Sequence, residues 1–183
     1  MPDPTVIKAA DGYFYVYATE STRNVPIMKS KDLVEWTYCN TAFTNKTRPR
    51  FEPKAGIWAP DINYINGKYV LYYAMSVWGG EQTCGIGVAT ANSPQGPFTD
   101  HGKMFRSNEI GVQNSIDPSL LQYEGRNYLV WGSFRGIYVI ELTADGLSIM
   151  SGAKKKRIAG TAFEAVYIHK HDDYYYMFAS IGS

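Results

Sequence analysis

Four pairs of short segments rich in tyrosine and β-branched residues, each pair led by an acidic residue, constrain this chain more than any other feature. The second members are "GYFYVYAT" from Gly12, "GKYVLYYAMS" from Gly67, "GRNYLVWGSF" from Gly125 and "DDYYYMFASIG" from Asp172. The first members are "DPTVIKA" at Asp3, "PDINYI" at Asp61, "DPSLLQY" at Asp117 and "EAVYIHK" at Glu164. Each reads as a strand bounded by a polar turn, so each pair is a hairpin with a carboxylate at its mouth. From Asp3 to Asp61, Asp117 and Glu164 the steps are 58, 56 and 47 residues, a spacing that belongs to repeat architectures.

A weaker pair of strands follows each of the first three hairpins: "VPIMKS" then "VEWTYC", "CGIGVAT" then the "GPF" segment, and "GIYVIEL" then "LSIM". Four antiparallel strands per repeat make a propeller blade, and helical periodicity is essentially absent. The expected fold is therefore an all-β propeller. Blade 1 covers about residues 3–43, blade 2 about 58–105, blade 3 about 115–150, and the first half of blade 4 about 162–183. A ring closes with about 4–8 blades. The sequence thus reads as truncated at both ends, and association with further strands is expected to complete the propeller.

Charge narrows the partner. Eighteen Lys and Arg against 17 Asp and Glu leave a formal net charge of +1, which recruits neither nucleic acid nor an anionic membrane. The one basic run, Lys154 to Arg157, reads as a solvated loop or an edge-strand face. No stretch approaches the roughly 20 apolar residues of a membrane span, and the start shows neither a charged n-region nor an apolar h-region. Cys39 and Cys84 read as buried or half-buried thiols, and His101, His169 and His171 are too scattered for a metal motif.

The wording of the repeats then becomes specific. "DPT" at Asp3, "WAPDI" from Trp58, "NSIDPSL" from Asn114, "WGSF" from Trp131 and the terminal "FEAVYIHKHDDYYYMFASIGS" resemble glycoside hydrolase family 43. Within it they are most similar to the arabinan-degrading branch of endo-arabinanases and arabinofuranosidases. The resemblance runs in order along essentially the whole chain. It implies a five-bladed propeller, present here as about three and a half blades, whose inner strands deliver three carboxylates into a central pocket. By the same resemblance Asp3 matches the general base, Glu164 the general acid, and Asp117 the aspartate that orients the acid and tunes its pKa. Hydrolysis with inversion is implied, on arabinan or another arabinose-containing oligosaccharide.

The chemistry of the residues agrees. An inverting glycosidase needs one carboxylate to deprotonate a water and a protonated one to feed the leaving oxygen, separated by roughly 6.5–9.5 Å. Acids at the mouths of inner strands on different blades are suited to such a gap, and a third acid beside Glu164 is expected to raise its pKa by like-charge repulsion. Trp58, Asp61, Trp78, Asn114, Ser133 and Phe134 are the candidate substrate contacts: aromatics that stack on sugars and polar groups that bond their hydroxyls. Asp61 matches no catalytic carboxylate of the family and reads as a structural residue of its blade before a substrate contact. Fructan and sucrose hydrolases read "RDP" where this chain has Ile116 before Asp117, which counts against them. A β-xylosidase of the same family, or an inactive propeller that binds carbohydrate, remains an alternative. The resemblance requires no cofactor. Many arabinanases hold a calcium or other ion through a fifth-blade histidine, and no residue here matches it, so no metal ligand is named. For the intact protein the resemblance implies secretion or a periplasmic location.

Overall fold

The computed structural model describes residues 1–182. Three four-stranded antiparallel meanders and one hairpin follow one another along the chain. The first sheet is β1 (Thr5–Lys8), β2 (Phe14–Tyr17), β3 (Pro26–Ser30) and β4 (Thr37–Thr41), paired in that order. The second is β5 (Gly56–Ile65), β6 (Lys68–Ser76), β7 (Gly85–Ala91) and β8 (Thr99–Arg106). One helical turn, α1 (Ser107–Ile110), leads to β9 (Ser119–Tyr123), β10 (Arg126–Trp131), β11 (Ile137–Glu141) and β12 (Lys156–Ala159). The hairpin β13 (Glu164–His171) and β14 (Tyr174–Ser180) stands fourth.

Strand periodicity explains why the tyrosine-rich segments are nearly continuous in apolar residues. Along β6, Tyr69, Leu71, Tyr73 and Met75 enter the core shared with the first sheet, while Val70 and Tyr72 enter the core shared with the third. Successive side chains point to opposite faces, so a strand sandwiched between two sheets is apolar at every position. β10 repeats the device: Leu129 and Trp131 face the second sheet, and Val130 packs with Val166 of β13. Buried tyrosines keep their hydroxyls bonded, as Tyr72 does to the Gly146 carbonyl at 2.8 Å and Tyr73 to the Asp100 carboxylate at 2.5 Å.

Three boundaries differ from the sequence reading. The outer strand of the third sheet is not "LSIM", which makes only a single bridge between Leu142 and Ile149, but Lys156–Ala159. The third blade therefore runs to residue 159, and Lys156 and Arg157 of the basic run lie on its edge strand. Second, Asp61 does not open its strand: β5 begins at Gly56, and a register shift between Trp58 and Asp61 disguises its first half. Third, the tyrosines of the last hairpin do not pack between sheets. Tyr174 is 69% exposed, and Tyr167 and Phe178 are more than half exposed.

Candidate active site

The inner strands of all four sheets meet at one cavity of about 330 Å³, and each contributes the same short arch. The four segments are Asp3-Pro4-Thr5-Val6, Ala59-Pro60-Asp61, Asp117-Pro118-Ser119 and Ala165-Val166-Tyr167. The first residue of each arch has a left-handed backbone: φ is 47° at Asp3, 40° at Ala59, 55° at Asp117 and 50° at Ala165. In three arches a proline follows, which fixes the next φ and carries the chain into its strand. Aspartate tolerates the left-handed region better than most residues because its side chain can bond locally.

This geometry corrects the idea of one carboxylate motif written four times. Asp3 and Asp117 are true counterparts, but the matching residue of the second arch is Ala59 and that of the fourth is Ala165. Asp61 corresponds to Thr5 and Ser119, two residues further on, and Glu164 stands one residue before its arch. A single acid-to-acid spacing could not separate these registers, because an acid followed by a strand-forming run recurs at all of them.

Asp3 and Asp117 are each tied to the arch that follows. The Asp3 carboxylate accepts a 2.5 Å hydrogen bond from the Thr19 hydroxyl, which itself accepts the Ala59 N–H at 2.6 Å. The Asp117 carboxylate accepts the Ala165 N–H directly at 3.1 Å. Glu164 is half-buried at the rim, outside the cavity lining, and accepts the Ser133 hydroxyl at 3.1 Å. Burial pushes the Asp117 carboxyl up to about 7; the Ala165 N–H opposes this, and the like charges of Glu164 and Asp3 add to it. A proton is therefore held on Asp117 up to about 7.

Of the remaining candidates, only Asp61 lines the cavity. Its carboxylate accepts from the Thr5 hydroxyl, the Asn63 amide and the Leu120 N–H at 3.4, 2.7 and 2.8 Å, and burial raises its pKa to about 6. Trp58 packs on Ala74, Cys84 and Ile116. Trp78 is 94% exposed on the β6–β7 loop. Asn114 uses its side-chain amide on the Ser133 carbonyl and its N–H on the Glu81 carbonyl. Buried Ser133 serves Glu164. The Phe134 ring lies against Gly182, beside the Glu164 carboxylate.

Thr19 is the functional neighbour that the sequence reading missed. A hydroxyl residue just beyond β2, in "YATES", was the available signal, as Ser133 in "WGSF" was beyond β10. Thr19 is followed by Glu20, which accepts the Asn24 and Ile57 N–H groups and pairs with buried Arg48, so the start of β5 is clamped beside Asp3. Among the described residues no group of three or more His, Cys, Asp or Glu is arranged to hold a metal ion. Both cysteines are free, Cys84 buried and Cys39 partly so. No helix among the described residues is long and apolar enough to cross a membrane.

Known proteins share this fold. The chain is 35% identical over 97% of its length to the extracellular endo-α-(1→5)-L-arabinanase 1 of Bacillus subtilis, and 31% identical over 98% to arabinan endo-1,5-α-L-arabinosidase A of Aspergillus niger. It spans 58% of either relative. Among solved structures, the native Bacillus subtilis arabinanase superposes with a TM-score of 0.85 at 32% identity, covering 99% of this chain and 66% of that one. The Cellvibrio cellulosa α-L-arabinanase gives 0.86 at 28% identity over 100% and 65%, and has also been solved complexed with arabinohexaose. These arabinanases are five-bladed propellers, and the four sheets described here are the corresponding part of that ring. The sequence model of the Glycosyl hydrolases family 43 matches residues 1–183, and the chain belongs to that family.

Proposed function

We propose that this chain forms the acid-bearing part of an arabinanase, which hydrolyses α-L-arabinofuranosyl linkages of arabinan with inversion. The observation that carries the reading is the convergence of Asp3 and Asp117 on one cavity with Glu164 at its rim, each held by a named hydrogen bond. Similarity to arabinanases supports the substrate class.

In this reading Asp3 is the general base. The Thr19 hydroxyl fixes one carboxylate oxygen and leaves the other for a water, from which Asp3 takes a proton as the water attacks the anomeric carbon. Glu164 is the general acid: it gives its proton to the leaving glycosidic oxygen while Ser133 holds its other oxygen. Asp117 couples the two. Burial at Asp117 keeps one proton in the site up to about pH 7. Phe134, whose ring lies beside the Glu164 carboxylate, is proposed as a sugar-stacking wall, whereas Trp58 packs into the core and Trp78 stands on an exposed loop away from the cavity lining. Asp61 and Asn114, whose polar groups are engaged within the chain, serve mainly to shape it.

The intact protein is proposed to act outside the cytoplasm, as the Bacillus relative's name states for that protein. The exposed apolar face of β13 and β14 supports further strands completing the ring beside the hairpin. The test is to incubate the purified chain with linear α-1,5-arabinan and, in parallel, xylan, and to assay reducing ends. Release from arabinan alone is expected. Release from xylan alone, or none from either with a folded chain, contradicts the proposal.

A further inference from the structure

The Asp61 carboxylate lies where three sheets meet, and each of its partners belongs to a different strand or register. Asn63 is two residues away on β5, Thr5 begins β1, and Leu120 is the second residue of β9. Thr5 is two residues after Asp3, and Leu120 three after Asp117, with only a proline between each left-handed acid and its strand. That short, stiff span transmits the position of the strand to the acid. The Thr5 hydroxyl also accepts the Ile62 N–H at 3.3 Å, so β1 and β5 are joined on both sides of Asp61.

We propose that Asp61 is a positioning residue, whose carboxylate sets the placement of Asp3 relative to Asp117 by seating β1 and β9 against β5. The inference goes beyond the functional reading and rests on it for its catalytic meaning. Asp61 touches neither acid, but it is bonded to the strand behind each of them. A carboxylate is suited to this place because it accepts from several donors at once, and buried N–H groups left without an acceptor are costly. Substitution by asparagine keeps one acceptor oxygen for Leu120 and Asn63 and turns the amide toward Thr5, whose hydroxyl can accept. Substitution by alanine frees the Leu120 N–H and lets β9 shift. Asp117, which faces Glu164, Asp3 and the Ala165 N–H, then gains access to water.

The experiment follows the Asp117 carboxyl by 13C NMR titration in the aspartate-labelled chain, beside kcat and KM on linear arabinan. With Asp61→Ala the Asp117 midpoint is expected to fall from about 7 toward the ordinary carboxylate range. kcat is expected to fall on the order of 10²-fold with KM little changed, the cost of acids misplaced by about an ångström. Asp61→Asn is expected to restore both. A folded Asp61→Ala chain with an unmoved Asp117 midpoint overturns the proposal, since a purely stabilising carboxylate would lower only the unfolding temperature. Where Asp61→Ala does not fold, Asp61→Asn decides: a retained midpoint supports the hydrogen-bonded tie, and a lost one overturns it. The titration needs no turnover. A wild-type chain that leaves arabinan intact while Asp117 titrates near 7 therefore counts against the substrate reading alone.

Discussion

Asp117 holds its proton up to about 7, through burial first and the like charges of Glu164 and Asp3 second. Hydrolysis needs that proton in the site, so kcat/KM is expected to decline as pH rises through about 7. Asp117→Asn removes one negative charge from the cluster, and the declining limb should then move to lower pH; a limb that stays in place argues against coupling. Glu164→Gln should abolish cleavage of arabinan while sparing an aryl arabinoside with a good leaving group, since that substrate needs little protonation. Asp3→Asn should remove activity on both substrates. Equal losses for Glu164→Gln, or retained activity for Asp3→Asn, would break the assignment. The three acids were legible in the sequence, but the burial that raises Asp117 was not. Repulsion between like charges is reciprocal, and the difference is made by the burial of Asp117, which depends on how β9 and β13 pack.

At the scale of elements, the hairpins were legible because strand periodicity and turn residues repeat, and the edges were not. "LSIM" has strand composition yet lies in a turn-rich segment where Thr143 and Asp145 bond each other and nearby N–H groups, so local side-chain bonds displaced the ladder. The ladder is taken instead by Lys156–Ala159, whose charged residues suit an edge. The early start of β5 was hidden by its bulge at Ala59. Close packing within the sheets gives a separate prediction. A Cβ on Gly87 of β7 would lie 2.3 Å from the Tyr73 hydroxyl, which is buried and held by Asp100. Gly87→Ala is therefore expected to cost about 1–3 kcal/mol, read as a lowered midpoint in urea unfolding. An unchanged midpoint would mean that Tyr73 moves freely.

For the whole molecule, two buried carboxyls couple stability to pH. Asp61 and Asp117 titrate at about 6 and about 7 in the folded chain, against 3.8 when unfolded. Both folded values are raised, so the folded state binds more protons than the unfolded one between these limits. Stability from these groups is fully present below pH 3.8 and is lost as pH rises through 6 and 7. For Asp61 the loss amounts to at most about 3 kcal/mol. Thermal unfolding from pH 4 to pH 8 should show this decline, and Asp61→Asn should flatten its lower part; a wild-type curve that rises over that window contradicts the burial of both groups. The central claim, that these four sheets carry the acids of an inverting arabinan hydrolase, is tested most directly by watching the reaction form its product. Proton NMR of linear arabinan during the first minutes of incubation should show the new reducing end with the opposite anomeric configuration to the α-linkage cleaved, and no such signal with Glu164→Gln. A new reducing end that first appears in the α configuration, or an undiminished signal from the Glu164→Gln chain, would contradict it.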